Sequence, residues 1–387
     1  MNFTLTKDQL HWQSVARNFA QDVVVPLARK MDEDGSMPIS IIEQMASLGL
    51  LGGSVSKAFG GSGMDSLSLA LAYIELGRAC SSVRGFMTVH SSLVMKCIEQ
   101  WGSDIQKNEF LPKLGKAELI GCYALTEPEA GSDAASIQTK AEKTKGGYIL
   151  NGEKIWITNA NLAHLAIVFA KLPATDRAKP HSSITAFLVD TNSDGFIRKK
   201  MPGKELGHRA SDHAHIIFKN CFVHEGRVLG GENNGFKVAM SALDHGRLGV
   251  ASGALGVHQA CLDACVDFVR TRKQFGSRIG DFEMMQAVIA EMKTSLEASR
   301  FLVYNAAWKK DQGESCTLET SMAKFHATEA AVKAANEAVL VHGGRGYSNE
   351  YPVERYLRDI KGLQIYEGTS HIQKIVIARQ VIGKETA

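Results

Sequence analysis

Hydrophobic residues in this chain change their spacing twice, and that change restricts the fold more than any other feature of the sequence. Up to about residue 120 they recur every three or four positions, as on the buried face of a helix. From Leu119 to about Val228 the runs are short, alternating and rich in β-branched residues. After Gly230-Gly231 the helical period returns and persists to the end. The expected class is therefore α+β: an N-terminal helical domain over residues 1–120, a central β domain (barrel or sandwich) over 121–230, and a C-terminal four-helix bundle over 231–387.

Local signals fill in these blocks. Thr6-Lys7-Asp8-Gln9 has the spacing of a capping box, so the fold is expected to start almost at once. Leu10, Val15, Phe19, Val23 and Val24 share one helical face, and Pro26 is expected to close that helix. Helices are also expected over Ile41–Leu50, Ser66–Ala79, Gly85–Trp101 and Asp104–Leu114. In the β block, Tyr148-Ile149-Leu150 and Ile155-Trp156-Ile157 flank the turn pair Asn151-Gly152, which predicts a hairpin. Further strands are expected at Ala166–Ala170, Ile184–Val189 and Ala214–Phe222, with a loop over Thr175–Ser183. The Ala-rich stretch Ser321–Val341 lets helices approach closely, in a bundle or a subunit contact.

Composition excludes several functions. The 387 residues carry a net charge of only +3, which suggests neither a nucleic-acid partner nor an anionic membrane surface. No run of about 18 apolar residues occurs, and the N-terminus resembles neither a signal nor a transit peptide, so a cytoplasmic location is expected. The seven cysteines form no CxxC pair, and Cys261 and Cys265 lie one helical turn apart, which suits buried thiols in a reducing compartment. There is no G-x-G-x-x-G between a strand and a helix, no phosphate-binding P-loop and no G-x-S-x-G. Gly343-Gly344-Arg345-Gly346 follows a helix and reads as a C-terminal cap and turn. His208, His213 and His215 lack an evident cysteine or carboxylate ligand set, so no metal is expected.

Four separated segments fit one chemical task. Thr126 and Ser132, in Leu125-Thr126-Glu127-Pro128-Glu129-Ala130-Gly131-Ser132-Asp133, offer hydroxyls and backbone N–H groups to the polar edge of a flat heterocycle, or form a polar turn. Trp156 and Thr158 add an indole and a hydroxyl suited to a flavin ring, or mark a strand end with a core tryptophan. Arg270-Thr271-Arg272-Lys273, followed by Gly276, could bind a pyrophosphate or form a solvated helix face. Glu367, in Tyr366-Glu367-Gly368-Thr369, stands in a break between two helices; it serves as a base in a cavity or as a helix N-terminal acid with Thr369 as cap.

Together these segments closely resemble the acyl-CoA dehydrogenase flavoprotein family, from about Leu5 to Gly383. The motifs that carry the resemblance are L-T-E-P-x-A-G-S-D, W-I-T-N, R-x-x-F-G, G-G-x-G-Y, E-Y-P-V-E-R and Y-E-G-T. The resemblance implies the acyl-CoA dehydrogenase fold, with FAD between the β domain and the C-terminal bundle. Glu367 matches the catalytic base of the short-chain, medium-chain and glutaryl-CoA branches; it removes the α-proton of a thioester as hydride passes from the β-carbon to flavin N5. Another branch places its base where this chain has Gly246, which cannot take a proton. By the same resemblance Tyr123, Leu125, Thr126, Trp156, Thr158, Gly343, Gly344, Thr369 and His371 contact FAD. Arg272, Phe275 and Gln286 match positions that reach the cofactor of a neighbouring subunit, which implies a homodimer or homotetramer. Ser132, Asp244, Arg247, Tyr366 and Gly368 fall on the substrate side. Leu340 stands where the family commonly has glutamine, removing one polar contact to FAD.

The implied substrate is an acyl-CoA or acyl-carrier-protein thioester, with an electron-transferring flavoprotein as the acceptor; an oxidase or flavin hydroxylase using oxygen is the rival on this fold. Arg84 matches the arginine that holds the distal carboxylate in glutaryl-CoA dehydrogenases, or caps its helix from the surface. Gly85 replaces the serine expected next to it, and Gly77 replaces an acidic residue seven positions earlier. The segment Gly77–Arg84 is also similar to dehydrogenases of polyketide extender units, which act on hydroxymalonyl- or aminomalonyl-type groups on a carrier protein. The reading leans to that second group, with glutaryl-CoA or short-chain acyl-CoA as alternatives. In each reading that includes Arg84 in the pocket, the acyl group is short and polar or acidic.

Overall fold

The structure, a computed structural model, describes residues 4–173, 180–201 and 203–383. Helices α1 (Lys7–Phe19), α2 (Val25–Asp34), α3 (Ile39–Ser47), α4 (Ser66–Ala79), α5 (Ser81–Met87), α6 (Lys96–Trp101) and α7 (Asp104–Gly115) form the first block. Strands β1 (Gly121–Ala124), β2 (Lys140–Thr144), β3 (Gly147–Thr158), β4 (Leu165–Lys171), β5 (Ile184–Asp190), β6 (Phe196–Lys200), β7 (His213–His224) and β8 (Val228–Leu229) form the middle. Helices α8 (Gly235–Thr271), α9 (Glu283–Asp311), α10 (Thr317–His342), α11 (Val353–Leu363) and α12 (Ser370–Ile382) complete the chain. The expected order of helices, β domain and helical bundle is the observed one.

The capping box at Thr6 is present: its hydroxyl accepts from Gln9 N–H at 3.2 Å while Gln9 Oε1 accepts from Thr6 N–H at 2.9 Å. Pro26 does not close the first helix. A π-helical turn over Ala20–Val24 shifts the hydrogen-bonding frame, so Pro26 enters within the first two positions of α2, where a missing N–H is tolerated. After that shift Ala28 and Met31 lie on the buried face, whereas Leu10 of α1, expected on it, is exposed because the buried face of α1 runs through Gln9, Ala16 and Phe19. The helix expected from Gly85 starts at Ser81 and continues through a second π-helical stretch, Thr88–Met95, to Trp101.

The sheet runs β6-β7-β3-β2-β4-β5-β8, with β1 parallel to β4. The Asn151-Gly152 hairpin is not formed. β3 continues through it, and the chain reverses earlier, between β2 and β3 at Gly146, whose φ is +77°. Gly152 is a bulge in the pairing of β3 with β7; its φ is +145°, and a Cβ there would stand 2.7 Å from the Thr139 Cα. Asn151 stitches the bulge to β7, accepting from Asn220 N–H at 2.8 Å. The loop expected over Thr175–Ser183 lies mostly outside the described residues, and its end, Pro180–Ser183, is a short 3-10 turn.

In the bundle, α4 crosses α8 backbone to backbone: a Cβ on Gly77 would meet the Gly253 carbonyl oxygen at 2.7 Å. The alanine stripe of α10, including Ala323, Ala327, Ala331 and Ala335, is buried within the chain against the bundle core. A separate apolar cluster joins α6, α7, β1, β4, β5 and the start of α8, so all three blocks meet at one seam. All seven cysteines are buried and unpaired.

Candidate active site

A cavity of about 550 Å³ opens along that seam. From the β domain it is lined by Tyr123, Leu125, Thr126, Ser132, Trp156 and Thr158; from the helices by Arg84, Arg247, Tyr366, Glu367, Gly368 and Thr369. Twelve expected site residues therefore share one space. Asp244 stands one step behind the wall, holding Arg247 Nη1 at 2.6 Å and accepting from Thr317 Oγ1 at 3.1 Å. Arg272, Phe275, Gln286, Gly343, Gly344 and His371 do not line the cavity. Five lie at helix ends, Arg272 of them half-buried, and Phe275, 94 % exposed, lies in the turn between the short paired strands Lys273–Gln274 and Ser277–Arg278. A cleft of about 650 Å³ elsewhere is lined by Arg358, Asp32 and Glu354, charges already paired with one another, and holds none of the expected site residues.

The turn between α11 and α12 positions Glu367. Its φ is +55° and that of Gly368 is +90°, two successive left-handed residues in a stretch that must reverse between helices. Thr369 does cap α12, accepting from Ile372 N–H at 3.3 Å. Glu367 is no helix-end acid: its Oε2 is shielded from solvent, has no hydrogen-bond partner and lies over Gly246 of α8. A Cβ at position 246 would stand 1.9 Å from that oxygen, so glycine is required there for the carboxylate to occupy its place. Burial raises the Glu367 pKa above the usual carboxylate range, and the charges of Lys324, Arg84 and Arg247 oppose it in part.

Arg84 is 1 % exposed, which overturns the alternative of a surface cap. Its Nη2 donates to the Tyr366 hydroxyl at 2.5 Å and its Nη1 to Thr88 Oγ1 at 3.2 Å, while Nε has no partner. No ion pair to this guanidinium exists among the described residues. His208, considered above only for metal binding, is a wall residue: its ring meets Tyr366 edge-on at 5.6 Å, and burial holds it neutral. His213 and His215 instead face Glu205 and Glu153, at 3.5 and 2.7 Å.

Two further residues at the site escaped the sequence reading. Lys324 of α10, 1 % exposed, donates to the carbonyls of Tyr366 (2.7 Å) and Gly368, on either side of Glu367. Gln373 of α12, fully buried, donates to the carbonyls of Glu367 (3.4 Å) and Gly368 (2.9 Å). The available signal was a single lysine on the buried stripe Ser321, Lys324, Thr328, Ala331, Ala335 of α10.

The β side of the cavity suits a flat, partly polar ring. Trp156, 52 % exposed, sits at a break in the β3–β7 register with φ +59°, a backbone state that a non-glycine residue adopts at a cost. Thr126 and Thr158 bring hydroxyls to the same wall. The loop carrying Thr126 and Ser132 is tied to β3 by a buried ion pair, Glu127–Lys154 at 2.7 Å. Lys154 Nζ also donates to the Leu125 carbonyl at 3.0 Å, and Glu127 accepts from the N–H groups of Gln138 and Thr139. Burial outweighs the partner for the amine and brings it down to about 8; for the carboxylate Lys154 and the hydrogen bonds outweigh burial and lower it.

Comparison with known proteins agrees with this geometry. The chain matches the N-terminal, middle and C-terminal domain families of acyl-CoA dehydrogenase over residues 6–118, 122–221 and 233–382. It is 41 % identical to an acyl-CoA dehydrogenase of Bacillus subtilis (strain 168), over 98 % of this chain and 99 % of that protein. Its fold is similar to that of butyryl-CoA dehydrogenase from Megasphaera elsdenii, with TM-score 0.95, 38 % identity, and 99 % and 100 % of the two chains covered. It is likewise similar to glutaryl-coenzyme A dehydrogenase in complex with glutaryl-CoA, with TM-score 0.95, 35 % identity, and 100 % and 98 % covered. With this likeness along its whole length, and a buried carboxylate opposite a ring-sized wall, the chain belongs to the acyl-CoA dehydrogenase family.

Proposed function

We propose that this oxidoreductase uses FAD to dehydrogenate a short acyl thioester whose far end is acidic or polar. The observation that carries the substrate class is Arg84: a buried guanidinium on the cavity wall that forms no ion pair among the described residues, with its Nε unpartnered. An unpaired buried charge is costly, and an acidic acyl group would supply the missing partner. FAD, when bound, supplies the two-electron acceptor. Thr126, Trp156 and Thr158 would hold its ring against the β wall, and Thr369 would approach it from the catalytic turn.

Glu367 is the group that takes the α-proton. Its unpartnered Oε2 has no hydrogen bond to break, and burial leaves it basic enough for proton transfer near neutrality. Arg247, braced by Asp244, and Ser132 would orient the thioester.

Within the acidic class we favour a hydroxymalonyl- or aminomalonyl-type group on an acyl carrier protein, with glutaryl-CoA or a short-chain acyl-CoA as the alternative. Space beside Gly85, where an added Cβ would find only His208 Nδ1 at 3.9 Å, supports an acyl group with a substituent near Arg84. The other proposed partner is an electron-transferring flavoprotein; fast reoxidation of the reduced enzyme by air would favour an oxidase instead. A homodimer or homotetramer is supported by exposed apolar residues of the C-terminal half, including Phe275, Met284 and Leu340. A reducing, cytoplasmic location fits the seven free cysteines. No helix among the described residues is long and apolar enough to cross a membrane.

Anaerobic bleaching of the flavin by a panel of acidic and neutral acyl thioesters, on coenzyme A and on carrier protein, tests this reading. Arg84→Ala is expected to raise KM for the acidic acyl groups by about 10- to 100-fold, the loss of a charged hydrogen bond, and to leave neutral ones much less affected. Equal effects on both would mean that the arginine does not meet the substrate.

A further inference from the structure

The carbonyls of Tyr366, Glu367 and Gly368 are gathered by two side chains, Lys324 and Gln373, from different helices. Gly368 permits this closeness, since a Cβ there would stand 2.6 Å from Gln373 Nε2. Glu367 and Gly368 are both left-handed, a state that a non-glycine residue keeps only where its surroundings hold it. Lys324 supplies the donor for that purpose: burial brings its amine down to about 7 and the Glu367 carboxylate raises it in part, so its hydrogen bonds are strongest when it carries its charge opposite an ionised Glu367. It has no carboxylate partner of its own within ion-pair distance among the described residues, although it is almost wholly buried.

We propose that Lys324 is a positioning residue for the reaction: its amino group clamps the turn that lifts Glu367 over Gly246, and its charge faces the base. This assignment rests on the reading of Glu367 as the base.

The groups facing the Glu367 carboxyl come from every element around it. Arg84 of α5, Arg247 of α8 and Lys324 of α10 are the cations, and Lys324 is the largest of the three influences. Tyr73 of α4, Tyr123 of β1 and Tyr366 are phenols that burial keeps protonated. Removing Lys324 therefore moves the base in one direction, upward. It also frees the Tyr366 and Gly368 carbonyls, so the turn is held less firmly and the carboxylate, still buried, is aimed less accurately.

The test uses FAD-loaded enzyme with 13C-labelled glutamate carboxyls, the Glu367 signal being assigned by its loss in Glu367→Gln. In Lys324→Met the Glu367 titration midpoint is expected to rise by about one pH unit or more. Flavin reduction by glutaryl-CoA and butyryl-CoA is expected to slow about 100-fold with FAD content unchanged, as a misplaced reacting group requires. If Lys324→Met does not accumulate as folded protein, Lys324→Gln, which keeps a donor without the charge, is read the same way. A Glu367 midpoint identical to wild type in the folded variant would overturn the proposal. A wild-type flavin that no acyl thioester bleaches would overturn the functional reading instead, while the carboxyl titration still decides the role of Lys324.

Discussion

Glu367→Gln is expected to abolish reduction of the flavin by acyl thioesters, a fall of roughly 1000-fold or more, while FAD stays bound. The amide keeps the size of the side chain but cannot accept the α-proton. Because Glu367 Oε2 makes no hydrogen bond, the exchange breaks no contact in the site. The nearest alternative position for a base, Gly246, has no side chain. Stopped-flow reduction with a thioester that bleaches the wild type, alongside the absorbance of bound flavin, measures both halves of the expectation. Retained reduction in this variant would refute the assignment. The wild-type rate should also fall on acidification, since a protonated Glu367 is no base. Its raised pKa has the opposite consequence for stability. The folded state holds that proton more tightly than the unfolded chain, so the contribution of Glu367 to stability is largest below the ordinary value of 4.5 and is lost as pH rises through the raised one.

Lys154→Met should be the most damaging single change to the β domain. Both partners of the Glu127–Lys154 pair are almost wholly inaccessible, at 4 % and 0 % side-chain exposure. Breaking such a pair by removing one member costs about 3–5 kcal/mol, because the other charge stays buried without compensation. Here the change also removes the donor to the Leu125 carbonyl, on the strand end next to Thr126. Weaker retention of FAD is therefore expected together with a lower denaturant midpoint, both measurable on one preparation by flavin release during unfolding. The double variant Lys154→Met/Glu127→Leu should recover part of the stability, since no charge is then stranded. It should not recover all of it, because Gln138 and Thr139 lose the acceptor for their N–H groups. A single variant as stable as wild type would show that the pair contributes nothing.

The departures from expectation share a cause. Asn151-Gly152 has the chemistry of a tight turn, yet β3 runs through it because both sides of the pair find partners: β7 beside Asn151 and Thr139 against Gly152. A turn propensity of one kind of residue yields to strand pairing when the neighbouring strands are in place. Pro26 ends a regular helix only if the hydrogen-bond frame is regular, and the π-helical turn before it removes that condition. Arg84 was ambiguous for a different reason. A lone arginine at the start of an apolar helix reads equally as cap or as pocket, and only the approach of α8, with Gly253 close to Nε, buries it.

Taken alone, the order of residues determined the three blocks and singled out the Tyr366–Thr369 turn as a candidate, with Glu367 open between a base and a helix-end acid until the family resemblance pointed to the base. Both are properties of adjacent residues: a spacing of apolar side chains, and an acid followed by glycine and a capping threonine between two helical runs. Tertiary structure decided what meets that acid. Gly246 beneath it, Lys324 and Gln373 behind it, and Arg84 across the cavity come from four different helices. Their convergence follows from which helix faces pack against each other, and no local pattern encodes a distance between faces. The same holds for Arg272, Phe275 and Gln286, which lie away from this chain's cavity, around the connection between α8 and α9.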